Sequence, residues 1–460
     1  MDIQTYIKSL QGKTVAVLGI GVSNTPLIEL LCKNGVRVIA CDKKTRDRLG
    51  DAAAALEAMG ASLRLGEDYL KGIDADVIFR TPGMRPDVPE LLAAKERGRV
   101  VTSEMQVFFE VCPCPIIAVT GSDGKTTTTT VISEFLRAAG KTVHLGGNLG
   151  HPLLAETEQI QPEDYAVVEL SSFQLLDMTR SPHIAVLTNL APNHLDVHRD
   201  MAEYIAAKEN IFRHQAAGDV AIFNLDNKIT REQSTRASAR VRMFSRRDEV
   251  SDGAFVRDGA IWLRNAAGER EVVKTADIRI PGQHNVENYC AAIAAVDGLV
   301  PDDVIRAVAK EFNGVEHRIE LVRERRGVRW YNDSIASSPT RTIAGLRSFP
   351  EKVILIAGGY DKHIPFTPLA PEIIEHVKLL ILCGATANAI RAAVTGCDGY
   401  RGEPEMVEVN TLQDAVDLAS ERATAGDVVT LSPACAAFDQ FANFMERGKV
   451  FKQMVNALDE

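Results

Sequence analysis

Short apolar runs rich in β-branched residues recur between helical patterns along the whole chain, and this alternation predicts parallel α/β sheets. Such runs stand at Thr14 to Leu18, Val36 to Cys41, Ile116 to Thr120, Tyr165 to Leu170, Ile184 to Asn189 and Val353 to Ala357. The chain has 460 residues, more than one ordinary core accommodates, and length alone suggests about three domains. The proline-rich Val111-Cys112-Pro113-Cys114-Pro115 and the polar Asn313-Gly314-Val315-Glu316-His317-Arg318 mark the breaks. They give domains 1–112, 113–314 and 315–460. Between Ser245 and Ile280 the pattern changes to short runs and turns, which predicts a small antiparallel insertion in the middle domain.

The formal net charge of -10 argues against a nucleic-acid binder, which needs a basic surface to displace counterions from phosphates. Any phosphate site must therefore be local. No apolar run is long enough to span a bilayer, and the start Met1-Asp2-Ile3-Gln4 lacks the basic stretch and apolar core of a secretory signal. The 8 cysteines are scattered without zinc or redox spacing and read as reduced thiols. The expectation is a cytoplasmic, monomeric protein with small-molecule partners and neither a membrane nor a nucleic acid among them.

Two glycine turns stand where phosphates bind. The first strand ends in Gly19-Ile20-Gly21-Val22-Ser23-Asn24 and the second in Asp42, an arrangement that can hold a nucleotide or serve only strand-helix packing. Asn24 occupies the place of the third glycine in the dinucleotide fingerprint, which disfavours a nicotinamide site. The second turn is stronger. A buried-type strand, Ile116 to Thr120, leads into Gly121-Ser122-Asp123-Gly124-Lys125-Thr126-Thr127 and then a helix. Backbone amides there can cradle phosphates, Lys125 can neutralise the outer ones and Thr126 can bind magnesium.

In a parallel sheet the carboxyl ends of neighbouring strands converge on one crevice. Glu169 ends the next apolar strand, and His194 follows the strand after it, so both can reach the phosphate loop. Lys208 shares a helix face with Met201, Ile205 and Phe212 at spacings of four, three and four. By pattern alone its ammonium is expected to snorkel outward from an apolar stem.

The motifs TGSDGKTT (120–127), ELSSFQL (169–175), NHLD (193–196) followed by AAK (206–208), GQHNVEN (282–288), EHRIE (316–320), YNDS (331–334), GGYDK (358–362) and SPACAAFDQF (432–441) resemble the Mur ligase family across all three parts. Several are nearest to its D-glutamate-adding members. The resemblance implies an N-terminal Rossmann-like domain for a UDP moiety, a central P-loop ATPase-type domain and a C-terminal Rossmann-like domain for the amino acid. It implies ATP and two magnesium ions, with UDP-N-acetylmuramoyl-L-alanine and D-glutamate as substrates, joined through an acyl phosphate.

Carried over by motif, Val22, Ser23, Asp42 and Gly83 would lie at the UDP site, and Asn148, Ser171 and Gln174 at the muramoyl-alanine part. Gly121, Ser122, Asp123, Gly124, Lys125, Thr126, Thr127, Asn285, Asn288, Arg318 and Asp333 would bind ATP. Thr126, Glu169, His194 and Lys208 would hold the metals, with Lys125, Glu169, His194 and Lys208 carrying catalysis. Lys208 matches the family's carbamylated lysine, which reverses the snorkelling expectation. Lys362, Ser337, Phe438 and Phe444 would meet D-glutamate. Ile335 stands where the D-glutamate-adding members often have a lysine, and Ala437 where they often have a serine. Arg341, expected in the first turn of a helix begun by Ser338 and Pro339, is the proposed replacement cation. The rival readings are another Mur or folylpolyglutamate-type ligase, an ATP-driven switch, and a nicotinamide dehydrogenase.

Overall fold

The computed structural model describes residues 1–192, 197–362 and 364–459. It divides into two compact units, one of residues 1–275 and 287–308, the other of residues 276–286 and 309–460. The first unit carries two sheets and the second carries one.

The first sheet is parallel throughout and comprises β1 (Thr14–Leu18), β2 (Arg37–Asp42), β3 (Ser62–Leu65), β4 (Val77–Phe79) and β5 (Val100–Thr102), in the order β3-β2-β1-β4-β5. The central sheet comprises β6 (Ile116–Thr120), β7 (Val143–Gly147), β8 (Tyr165–Glu169), β9 (Ile184–Leu187), β10 (Val220–Asn224), β11 (Arg240–Ser245), β12 (Gly253–Arg257), β13 (Ala260–Asn265) and β14 (Gly268–Lys274). Its order, β14-β13-β12-β11-β10-β9-β6-β8-β7, puts β6 between β8 and β9. All five residues of β6 are buried. This is what a parallel strand covered by helices on both faces requires.

The small antiparallel insertion expected in the middle domain is present as β12, β13 and β14, and it continues the edge of the central sheet. β12 pairs parallel with β11 from Met243↔Gly253 onward, and only then do β13 and β14 reverse direction. The turn signals were real, but turns alone do not say which edge a hairpin joins.

In the second unit, β15 (Glu320–Arg325), β16 (Val328–Asn332), β17 (Val353–Ala357), β18 (Val377–Leu382), β19 (Glu405–Glu408) and β20 (Val428–Leu431) form a sheet of order β15-β16-β20-β17-β18-β19. Only the β15–β16 pair is antiparallel. The apolar strands of this sheet bury Ile354, Leu355, Ile356, Leu380 and Val429 completely. Helix Pro339–Leu346 starts with Ser338 at its N-cap and proline at its first position, as the sequence predicts. Among the described residues no helix is long and apolar enough to cross a membrane.

Within the first unit the two sheets are joined by Arg80, the residue just after β4. Its side chain is fully buried. Nε donates to Asp177 Oδ2 at 3.1 Å, and Nη2 also bonds Oδ1 of the same carboxylate and the Phe173 carbonyl at 3.1 Å. Nη1 donates to the Met84 carbonyl at 3.0 Å and more weakly to Thr81 and Pro82. A second arginine, Arg85, grips Asp87 and Glu203 with paired hydrogen bonds of 2.7–2.9 Å. That holds the turn after β4 against helix Met201–Arg213. Replacing Arg80 by methionine strands several buried oxygens. Arg80→Met is expected to lower the unfolding free energy by about 2–4 kcal/mol, to be read from urea denaturation.

Candidate active site

The site is built where β6, β8 and β9 end. The loop after β6 turns back at Gly121 (φ +153°) and Gly124 (φ +78°), conformations that only glycine adopts easily. A Cβ on Gly121 would come within 1.9 Å of Thr188 Oγ1, and one on Gly124 within 2.4 Å of Asn288 Oδ1. These glycines are thus required by close packing as well as by backbone angle. The loop is further tied to the segment after β9, where Asp123 N donates to Asn189 Oδ1 at 3.0 Å and Thr188 Oγ1 donates to the Asp123 carbonyl at 2.6 Å.

Helix Lys125–Ala138 starts directly from this loop, so its free amides and the positive end of its dipole face the loop. Lys125 Nζ lies 2.8 Å from the Ser122 carbonyl. Thr126 Oγ1 donates to Glu169 Oε2 at 2.6 Å, and Asn148 Nδ2 donates to Glu169 Oε1 at 2.7 Å. Glu169 is buried, 3% exposed. Lys125, Thr126, Asn148 and Glu169, drawn from three separate segments of the chain, therefore share one crevice. The hydroxyl of Thr126 and the carboxylate of Glu169 are the hard oxygen donors that magnesium prefers. His194 lies outside the described residues.

Lys208 does not snorkel. Helix Met201–Arg213 turns it inward, leaving it 1% exposed, with Nζ 2.9 Å from both Thr120 Oγ1 and the Gly121 carbonyl and 5.1 Å from the Tyr204 ring centre. Burial, then the charge of Lys125, drive its pKa well below the ordinary lysine value, against the opposing pull of Glu169 and Asp123. The pattern put Lys208 on the apolar face correctly. The depth of the core beneath that face is a tertiary property.

Ser171 caps the short helix Ser172–Leu175 in a reciprocal capping box with Gln174, which fixes both side chains. Gln174 and Ser23 line the same narrow cleft, along with Arg80, Ser103, Glu104 and Gly147. Two sequence candidates from different sheets are so brought together. Val22 is exposed, and Gly83 is exposed on the turn held by Arg80. Asp42 is more constrained than expected. Its oxygens accept from the amides of Ile20 and Lys44, both at 2.7 Å, so it stabilises the glycine turn itself. Asn24 is buried and donates to the Leu18 carbonyl.

Arg80 and Glu104 were missed in the sequence. Glu104 is buried, accepts from Leu154 N at 2.8 Å, and is pushed up to about 7 by burial. Arg80 carried one signal, a charged residue directly after an apolar strand.

In the second unit, Asp333 follows β16 and is buried. It accepts from Ser432 Oγ at 2.7 Å and from Ile319 N at 3.3 Å, and burial pushes its pKa up to about 7 despite the nearby Arg318 and Arg341. Arg341 is exposed and donates to the Ile335 carbonyl at 3.1 Å. Lys362 Nζ lies 3.5 Å from the Ser337 carbonyl. Phe438 is 62% exposed and meets Tyr360 edge-on, while Phe444 is half-buried and meets His317 edge-on. Asn285 is buried with its amide on the Pro281 carbonyl at 2.6 Å. Asn288 packs on the phosphate loop and accepts from Thr128 Oγ1 at 3.3 Å.

A phosphate loop at a helix start, with a threonine hydroxyl and a strand-end carboxylate beside it, defines a nucleotide-dependent enzyme of the P-loop type. Comparison with known proteins narrows the class. Residues 119–296 match the Mur ligase middle domain, and residues 317–435 match the Mur ligase glutamate ligase domain. The chain is 53% identical over 99% of both sequences to the UDP-N-acetylmuramoylalanine–D-glutamate ligase of Acetivibrio thermocellus, and 49% identical over 99% of both to that of Clostridium botulinum strain Alaska E43. Its fold is similar to that of UDP-N-acetylmuramate-alanine ligase MurC from Thermotoga maritima, with TM-score 0.58 and 18% identity over 97% of this chain and 99% of that one. The chain belongs to the Mur ligase family, and it is an ATP-dependent, ADP-forming ligase that uses magnesium. Glu169→Gln keeps the size and removes the charge beside Thr126. It is expected to lower kcat by about 100-fold or more and to raise the magnesium concentration for half-maximal rate, measured as phosphate release across a magnesium titration.

Proposed function

We propose that the chain joins D-glutamate to the alanine carboxylate of UDP-N-acetylmuramoyl-L-alanine. The observation that carries this reading is the 53% identity along the full chain to a ligase named for that reaction. Residues 1–112 would then form the UDP-binding domain, 113–314 the ATP-binding domain and 315–460 the amino-acid domain, one sheet to each. Substrates this highly charged do not cross a lipid bilayer unaided, so the reading is also of a cytoplasmic enzyme, acting as a monomer.

The chemistry begins with two anions that repel, the alanine carboxylate and the γ-phosphoryl group. Lys125 and the amides at the start of helix Lys125–Ala138 offset that repulsion and stabilise charge on the transferring group. The carboxylate oxygen bonds to the γ-phosphorus as the bond to ADP breaks, giving an acyl phosphate. The amine of D-glutamate then attacks the acyl carbon, loses a proton and expels phosphate. Thr126, Glu169, His194 and Lys208 would hold two magnesium ions, whose chemistry is to neutralise phosphate charge. Ser23, Gln174, Ser171 and Asn148 would orient the muramoyl-alanine part, with Val22, Asp42 and Gly83 on the uridine side. Asn285, Asn288, Arg318 and Asp333 complete the reading at ATP.

For the two carboxylates of D-glutamate the reading names Lys362 and Arg341, with Ser337, Phe438 and Phe444 around them. A desolvated carboxylate left unpaired is costly, and Ile335 offers no charge.

Lys208 would carry a carbamate. A buried lysine with a strongly lowered pKa is neutral enough to capture carbon dioxide, and the product is an anionic oxygen donor where an ammonium would repel magnesium. Lys208→Ala is expected to lose about 100-fold or more in rate and to regain part of it with acetate or formate. Normal activity in that variant would refute the carbamate. For the reaction as a whole, phosphate release from ATP is expected only when UDP-N-acetylmuramoyl-L-alanine and D-glutamate are both present. Rapid release with neither would count against a ligase of this specificity.

A further inference from the structure

Three loops at the carboxyl edge of the six-stranded sheet are organised by one side chain that the reaction as described does not use. Arg447 lies in the first turn of helix Phe444–Ala457 and is buried, 4% exposed. Its Nε donates to Ser334 Oγ at 3.0 Å and its Nη2 to the Ser334 carbonyl at 2.9 Å, both in the loop after β16. Nη2 also donates to the Cys435 carbonyl at 3.0 Å, and Nη1 to the Ala436 carbonyl at 3.1 Å, both in the loop after β20. The loop after β17 is tied to the same point, since Tyr360 N donates to the Ala436 carbonyl at 2.9 Å. A Cβ on Gly359 would lie 3.2 Å from Nη1, so the packing around the guanidinium is tight.

These loops carry Ser337, Lys362 and Phe438, and the helix carries Phe444. Arg447 is therefore bonded into, or one bond away from, each segment that carries these four residues. Its acceptors are all neutral, and among the described residues no carboxylate forms an ion pair with it. Asp439 acts on it only through space and itself accepts from Ala385 N at 3.3 Å. Burial lowers the guanidinium only to about 10, so it stays charged at neutral pH. Carbonyl dipoles solvate the charge without cancelling it, and its field in a poorly screened interior reaches the surface above.

We propose that Arg447 is the positioning and selectivity residue of the amino-acid site, holding the three loops in register while its positive charge, which no carboxylate bonds directly among the described residues, favours a substrate with two carboxylates over one with a neutral side chain. The proposal rests on the assignment of these loops to D-glutamate.

The test uses the full-length enzyme and two variants, Arg447→Lys and Arg447→Met, with thermal unfolding recorded for each. KM is measured for ATP, UDP-N-acetylmuramoyl-L-alanine and D-glutamate, and kcat/KM is compared between D-glutamate and D-glutamine. Arg447→Met is expected to raise KM for D-glutamate about tenfold or more and to narrow its advantage over D-glutamine about tenfold, with the other two KM values nearly unchanged. Arg447→Lys, which keeps the charge but not the fork of donors, is expected to raise KM for D-glutamate while retaining most of that advantage. A folded Arg447→Met enzyme with unaltered D-glutamate KM and selectivity overturns the proposal, and so does a loss confined to kcat. Should Arg447→Met fail to fold, wild-type D-glutamate KM in Arg447→Lys overturns it instead. Absence of D-glutamate turnover in the wild-type enzyme would refute the substrate reading, a result separable from all of these.

Discussion

A carboxylate at the end of a buried parallel strand must be hydrogen-bonded or it is driven to neutrality. Glu169 is held at both oxygens, one by Thr126 and the other by Asn148. Much of the central sheet is arranged around this pair of bonds. Thr126 is available because the phosphate loop turns through two glycines. Asn148 is available because Gly147 before it adopts φ +83° with its α-carbon so close to β8 that a Cβ would fall 2.4 Å from the Glu169 carbonyl. The order of β7, β8, β6 and β9 then follows as the one that brings these ends together.

The phosphate loop, the parallel sheets and the convergence of Lys125, Thr126 and Glu169 were legible in the sequence because each is local. A strand, a glycine turn and a helix start are written in a dozen consecutive residues, and parallel topology fixes where neighbouring strand ends meet. The capped helix Pro339–Leu346 was legible for the same reason. What could not be read were single charged side chains with distant partners. Arg80 meets Asp177, 97 positions on, and Arg447 meets Ser334, 113 positions back. Neither leaves a periodic trace. Lys208 sits between these cases, since its helix face was apparent but not how far the core would swallow its amine.

Burial has opposite consequences for the acids and the bases of the chain. The Lys208 amine loses its proton readily because it is buried and because Lys125 is a like charge close by, which outweighs the pull of Glu169 and Asp123. Glu104 and Asp333, acids in equally dry surroundings, hold theirs more tightly than exposed carboxylates do. Arg447 alone keeps its full charge, because a guanidinium is too basic for burial to neutralise it. The same physics thus supplies a neutral base, two weak acids and a permanent cation from four side chains.

The strand order also dictates a sequence of events as the chain leaves the ribosome. The first sheet needs nothing beyond Thr102, whereas β6, made next, finds its two neighbours only when β8 and β9 have emerged, up to Leu187. Domains fold as units during synthesis, in order from the N-terminus. The first sheet is therefore complete for a time with Arg80 at its edge and Asp177 not yet made. In that interval the guanidinium is a solvated charge on the very surface that the central sheet will later cover, and only the arrival of Asp177 turns it into a buried, paired one.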